Sequence, residues 1–140
     1  MQLSRKADYA LRAIRFLARA PKGETRSINQ ISEGESIPRE FSAKILKDLK
    51  LKRVIESFQG VKGGYRLARS PKDTTYLQVI EAVDGPIHLN LCTEPGNNYC
   101  KRVGSCELHT FWTQQETSLK RKLSSTNFGK YSVKKRSTAG

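Results

Sequence analysis

The chain has 140 residues, of which 36% are hydrophobic, and this length supports one compact domain with an appended dimerising element. Lysine and arginine number 26 against 13 aspartate and glutamate residues, so the formal net charge of +13 favours a polyanionic partner such as nucleic acid. The sequence has no run near the roughly 18 apolar residues of a membrane span and no secretory signal, so we expect a cytoplasmic protein.

The first half of the chain predicts three helices. Apolar residues recur at helical spacing over residues 4–20, and Ser27 is placed to cap a second, short helix over 28–33. A tight turn at 34–37 leads into a third helix that begins near Pro38. Two helices joined by such a turn are typical of a helix-turn-helix, whose second helix contacts DNA.

The third predicted helix has two different faces. One face is apolar and should pack on the body of the domain, and the other is polar and free to enter a DNA groove. The apolar face carries Phe41, Ile45, Leu46 and Leu49, and the polar face carries Arg39, Ser42, Lys44, Lys47 and Lys50.

A glycine-rich hairpin follows. Two β-prone runs, 54–58 and 65–67, flank a loop at 59–64 whose glycines supply positive φ angles, with Lys62 at the tip. This pattern predicts the wing of a winged helix, although an ordinary α+β core is the alternative. A further helix is predicted to start near Thr75 and to end at 84–86.

The three cysteines of the chain, Cys92, Cys100 and Cys106, lie in one short segment. An odd set of clustered thiols cannot pair fully within one chain, and thiolates are suited to an iron-sulfur cluster or to zinc. A reduced loop without metal remains an alternative. After Cys106 we predict a helix running toward Leu123 with an apolar stripe suited to pairing with a second copy.

Several motifs, in this order, resemble the Rrf2 family of bacterial winged-helix regulators, with its IscR-, NsrR- and RirA-like members. The motifs are LSRKADYALRA at 3–13, IPREFSAKILKDL at 37–49, GGYRLA at 63–68 and LQVIEAVDG at 77–85. The resemblance covers about residues 1–130. It implies a homodimer that binds a palindromic site in double-stranded promoter DNA and holds a 4Fe-4S or 2Fe-2S iron-sulfur cluster.

The same resemblance implies roles for individual residues. Cys92, Cys100 and Cys106 would be cluster ligands, and the fourth ligand would be either His109 or Asp8 of the partner subunit. His109 follows Cys106 by three residues, which places both side chains on one helix face. The zinc alternative would use the same thiolates with an imidazole.

DNA contacts are expected along the third helix and the wing. Arg39 is the best candidate for a bidentate contact with guanine, and Lys47 and Lys50 should mainly bind phosphates. Family wings usually carry arginine where this chain has Gln59, so Lys62 or Arg66 would supply the charge there. The full set of expected DNA-binding residues is Ser27, Pro38, Arg39, Ser42, Ala43, Lys44, Lys47, Lys50, Gln59, Lys62 and Arg66.

We therefore predict a mainly α fold with a small β wing, divided into a winged helix-turn-helix domain (1–85), a cluster loop (86–108), a dimerisation helix region (109–130) and a disordered basic tail (131–140). The predicted function is a transcriptional regulator, expected to be a repressor, that senses iron, redox or nitric oxide status through the cluster. The alternative is a metal-free, thiol-based or ligand-responsive winged-helix regulator. An enzyme is not expected, because no nucleophile with its base and no phosphate-binding loop is evident.

Overall fold

The computed structural model of the protein describes residues 3–96, 101 and 104–132. Five α-helices and a two-stranded antiparallel sheet occur in these residues, which confirms the predicted mainly α fold with a small β wing. The elements are α1 (Arg5–Ala18), α2 (Ile28–Gly34), α3 (Arg39–Leu51), β1 (Ile55–Phe58), β2 (Gly64–Leu67), α4 (Tyr76–Asp84) and α5 (Glu107–Ser125). Short 3-10 turns occur at Pro71–Asp73, Leu91–Thr93 and Gly129–Tyr131. None of the helices in this part of the chain is long and apolar enough to cross a membrane.

Hydroxyl side chains cap the starts of three helices. Ser4 accepts the amide hydrogen of Ala7 at 2.9 Å, and Ser27 and Thr75 each form a reciprocal capping box with the glutamine three residues later. These caps satisfy amide groups that have no partner within the helix. Helix α4 ends at Gly85, whose φ of 78° is accessible mainly to glycine.

Helix α1 lies at the centre of the domain and packs against α2, α3 and α4. Its buried face carries Ala7, Ala10 and Ala13, and these small side chains allow neighbouring helices to approach closely. Larger apolar side chains from the other elements complete the core, and they are Ile31, Ile45, Leu46, Leu49, Ile55, Val79 and Ile80.

The wing is anchored to the segment before α2. Strands β1 and β2 pair from Ile55 opposite Leu67 to Phe58 opposite Gly64. Arg26 and Tyr65 also exchange two backbone hydrogen bonds of 2.9 and 2.8 Å. Residue 26 therefore forms an isolated antiparallel β-bridge with β2. A Cβ atom at Gly64 would lie 2.6 Å from the Arg26 carbonyl oxygen, so this close approach requires glycine.

After α5 the chain returns to the core. Phe128 is 1% exposed and stacks on Tyr76 with ring centroids 4.7 Å apart. The Tyr131 hydroxyl lies 2.9 Å from the Tyr76 hydroxyl, and burial together with this hydrogen bond raises the pKa of Tyr76 to about 12.

The prediction of a disordered tail over residues 131–140 is therefore wrong at residues 131 and 132, which lie in the segment that packs back on the core. The two aromatic side chains, three positions apart, bury enough apolar surface to hold it. Residues 133–140 lie outside the described residues.

Replacing Phe128 with alanine should lower the free energy of unfolding by about 3 to 5 kcal/mol, because it removes a fully buried ring and leaves a cavity. Urea denaturation at one fixed protein concentration measures this loss. The same substitution at Phe58, which is 39% exposed in the wing, is the control and should cost less. Equal losses would contradict a core role for Phe128.

Candidate nucleic-acid interface and cysteine segment

The outer face of α3 carries most of the predicted DNA-binding side chains. Ile45, Leu46 and Leu49 turn inward to the core and fix the orientation of the helix. Six predicted residues are exposed on or next to the opposite face, and they are Pro38, Arg39, Ala43, Lys44, Lys47 and Lys50. The structure thus brings these side chains together on one surface.

Ser42 does not belong to that surface. Its side chain is 1% exposed, and its hydroxyl has no hydrogen-bond partner among the described residues. The prediction that Ser42 lies on the polar face is wrong, because residues 42, 45, 46 and 49 follow helical spacing and share the buried face. The spacing was visible in the sequence, but the polar residue type obscured it.

Ser27 is the N-cap of α2. Its hydroxyl oxygen accepts the amide hydrogen of Gln30 at 3.1 Å, and the Gln30 side chain accepts the amide hydrogen of Ser27 at 2.8 Å. The hydroxyl hydrogen of Ser27 remains available as a donor.

In the wing, Gln59 and Lys62 are exposed in the loop. The Thr25 hydroxyl donates to the Lys62 carbonyl oxygen at 2.7 Å and holds this loop against the body. Arg66 is more constrained, because its Nε lies 3.6 Å from a Glu56 carboxylate oxygen on the paired strand and its guanidinium covers the Phe58 ring at 4.2 Å. Lys62 is therefore the freer cation of the two.

Positive charge is distributed unevenly over the molecule. Three of the four cations of α1 lie in ion pairs, which join Lys6 to Asp48 and, at 3.0 Å each, Arg12 to Asp8 and Arg15 to Glu35. Five cations of α3 and the wing form no ion pair with any residue that the structure describes, and they are Arg39, Lys44, Lys47, Lys50 and Lys62. This surface therefore carries an uncompensated positive charge.

Two of the three cysteines fall within the described residues. Cys92 lies in the turn Leu91–Thr93, Cys106 is the residue that precedes α5, and both are half-buried free thiols. The Asn90 side-chain amide lies 3.6 Å from the Cys92 sulfur and can donate to it. Cys100 lies outside the described residues. Within residues 3–96, 101 and 104–132, no three His, Cys, Asp or Glu side chains form a group that could hold a metal ion.

A buried carboxylate on α5 holds the segment that carries Cys92. Glu116 is 8% exposed, and it accepts the amide hydrogen of Leu89 at 2.9 Å and the hydroxyl of Thr93 at 2.8 Å. Burial alone would raise the pKa of this carboxyl, but the two hydrogen bonds and the nearby Lys120 and His88 outweigh it and leave the pKa below its usual value.

Glu116 is not among the functional residues predicted from the sequence. Its spacing of four from Trp112 and seven from Leu123 places it on the inner stripe of α5, and this was the available signal.

The two candidates for a fourth ligand differ in their surroundings. His109 is half-buried in the first turn of α5, and its Nδ1 atom is buried without a hydrogen-bond partner among the described residues. Asp8 is exposed and already paired with Arg12.

The chain is similar to known transcriptional regulators over most of its length. Residues 3–131 match the family model described as Rrf2, an iron-dependent transcriptional regulator. NsrR of Bacillus subtilis (strain 168) is 31% identical over 108 residues, which cover 77% of this chain and 74% of that protein. An HTH-type transcriptional regulator of Mycobacterium tuberculosis is 36% identical over 87 residues, and the chain spans about half of its length (54%).

Solved structures share the fold at lower sequence identity. CymR, the global cysteine regulator of B. subtilis, superposes with a TM-score of 0.74 at 19% identity, over 95% of this chain and 99% of that one. T. potens IscR superposes with a TM-score of 0.73 at 20% identity, over 91% and 83% of the two chains. With the family match over nearly its whole length, the chain belongs to the Rrf2 family of transcriptional regulators.

Proposed function

We propose that this transcriptional regulator binds a palindromic DNA site as a homodimer and that an iron-sulfur cluster controls the binding. The observation that carries the DNA part is the surface of α3 and the wing, where five cations lack ion pairs among the described residues. Phosphate contacts would neutralise this charge and release counterions from the DNA.

Each part of that surface has a distinct role in the proposal. Arg39 begins α3, and the first turns of a recognition helix contact base edges in the major groove. Lys44, Lys47 and Lys50 follow along the helix and bind phosphates. The wing then lies beside the groove, with Lys62 in its loop.

The homodimer is supported by the exposed apolar residues of α5. Leu108, Phe111 and Leu119 are exposed, although side chains of this size are usually buried. Leu119 also lines a groove of about 470 Å³, together with Leu123 and residues of α1 and α4. A second copy packed on α5 would cover both features, and its two-fold symmetry would match two DNA half-sites.

The donor atoms of the cysteine segment fit an iron-sulfur cluster. Cys92 and Cys106 are partly accessible thiols, Asn90 can donate a hydrogen bond to sulfur, and Cys100 would complete the three thiolates. His109, whose buried Nδ1 has no hydrogen-bond partner in the described part of the chain, fits the fourth position better than Asp8, whose carboxylate is paired with Arg12. When bound, the cluster would supply a centre whose charge and ligation respond to iron, redox state or nitric oxide.

Glu116 provides the route from this segment to α5. It binds Leu89 and Thr93 on both sides of Cys92 and belongs to the helix that would form the dimer. A displacement of the Cys92 turn would therefore act on α5 and, through the dimer, on the spacing of the two α3 helices. Repression is the outcome we expect of a regulator that occupies promoter DNA.

A second candidate is a metal-free regulator that responds to thiol chemistry or to a small ligand. The CymR structure favours it, since that protein is described as a global cysteine regulator and has the same fold. Anaerobic purification distinguishes the two, because iron and sulfide with visible absorption support the cluster and a colourless protein supports the thiol.

Arg39→Ala should reduce affinity for a palindromic site, obtained by selection from randomised DNA, by about 1 to 3 kcal/mol and relax specificity at one base step. Lys62→Ala should weaken binding to selected and random DNA alike, because a phosphate contact is independent of sequence. Fluorescence anisotropy at several salt concentrations measures both effects. Equal losses on both DNAs for Arg39→Ala would contradict its base contact.

Cys100→Ser should give a protein with little bound iron and sulfide, because one iron would lose its thiolate ligand. DNA affinity should then resemble that of the apo protein and differ from that of the holo protein. Iron and sulfide analysis with anisotropy on one DNA site tests this. The same affinity in all three forms would exclude control by a cluster.

Glu116→Gln should lower the stability of the apo protein by roughly 1 to 3 kcal/mol at pH 7, because hydrogen bonds to a charged acceptor are weakened. Since the folded-state pKa is lowered, the carboxylate contributes fully above its unfolded pKa and the contribution is lost as pH falls through the folded value. The difference between variant and parent in urea midpoint should therefore shrink as the pH is lowered below the ordinary pKa of a glutamate. Exposed Glu94 provides the matched control, and a Glu94→Gln loss of the same size would argue against the buried role of Glu116.

A further inference from the structure

An open cleft of about 390 Å³ lies between the end of α3, the residues that flank the wing, and α4. Three cations line it, and they are Lys52, Arg53 and Arg69. None of them forms an ion pair within the part of the chain that the structure describes. Glu81 is the acid in the lining, and its carboxylate accepts the amide hydrogen of Ile87 at 3.2 Å. Three cations against one carboxylate leave the lining with an excess of positive charge.

Arg53 occupies a backbone position that favours glycine. Helix α3 ends in a Schellman arrangement, in which the amide of Val54 donates to the Leu49 carbonyl at 2.9 Å and the amide of Arg53 to the Lys50 carbonyl at 3.0 Å. The φ of Arg53 is 61°, a left-handed conformation in which an L side chain is strained. The Schellman end accounts for this φ, and the side chain of Arg53 lines the cleft.

The rest of the lining offers one more donor and a small apolar area. The Gln78 side-chain oxygen accepts the amide hydrogen of Thr75 at 3.0 Å, which leaves its NH₂ group available to a ligand. Val54, Ala82 and Pro86 supply apolar contacts. The volume lies at the lower end of the range for small-molecule sites.

The cleft lies at the end of α3 opposite Arg39, the residue proposed to contact base edges. Lys52 and Arg53 follow the last residue of α3, and 13 residues of helix separate the two ends by about 20 Å. Lys50, a proposed phosphate contact, lies two residues before Lys52, so the cleft adjoins the proposed DNA surface.

We propose that this cleft binds a small aliphatic dicarboxylate. Each guanidinium of Arg53 and Arg69 presents a planar fork that matches one carboxylate, and Lys52 adds a third positive charge. The short hydrocarbon between the carboxylates would lie against Val54, Ala82 and Pro86. None of the lining residues is among the proposed DNA contacts or the cysteines, and the test uses a small molecule without DNA.

Succinate is the probe, and its neutral analogue succinamide is the matched control. Titration of the full chain, followed by backbone amide NMR, should show saturable shifts at Arg53, Val54 and Arg69, with a dissociation constant on the order of 1 mM or below. Succinamide should cause no such shifts. Inorganic phosphate should bind more weakly, because it lacks the hydrocarbon, and equal binding of phosphate would overturn the dicarboxylate assignment.

Variants separate this cleft from the general basic surface. Arg53→Gly should weaken succinate binding by about tenfold or more and raise Tm by a few degrees, because glycine relieves the strained φ. Arg69→Gln should weaken binding without relieving strain, and Lys47→Gln, which removes one charge from the outer face of α3, should leave it unchanged. Unchanged succinate affinity in the first two variants, or an equal loss in Lys47→Gln, would overturn the proposal.

Discussion

Helix α1 packs against both α3 and α4, and it can do so because its buried face carries alanine at positions 7, 10 and 13. Small side chains bring the helix axes close, and the larger Ile14 and Leu17 then fill the space toward the core. Through α1, the helix proposed to contact DNA and the helix that leads to the cysteine segment share one core. Larger residues at these positions would separate α3 from α4 and displace both surfaces.

Ion pairing differs between the interior of the fold and the outer face of α3. Arg15 binds the buried Glu35 at 3.0 Å, so this cation fastens α1 to the turn between α2 and α3. On the outer face of α3, by contrast, lysines have no acidic neighbours that pair with them among the described residues. The charge of Arg15 is therefore balanced by a carboxylate within the fold, whereas the charges of the α3 lysines are available to a polyanion.

The cysteine segment depends on one carboxylate. Glu116 loses solvation on burial, and two hydrogen bonds from the segment that carries Cys92 compensate for that loss. These hydrogen bonds join α5 to the turn at 91–93, whatever the cysteines bind. CymR of B. subtilis and T. potens IscR share this fold.

The sequence by itself determined the local structure and the family. Ser27 and Thr75 predicted where two helices begin, and the glycines at 63–64 predicted the wing. Four ordered motifs identified the Rrf2 resemblance that the family match confirmed. These signals lie within a few residues of the structure they specify.

Only the tertiary structure decided which side chains are buried against distant parts of the chain. Ser42 lies inward despite its polarity, Glu116 binds residues more than 20 positions away, and Phe128 returns to stack on Tyr76. The cleft between Arg53 and Arg69 likewise exists only once α3, the wing and α4 have packed. Each depends on contacts between segments remote in sequence, and local propensity and spacing carry no information about which segments meet.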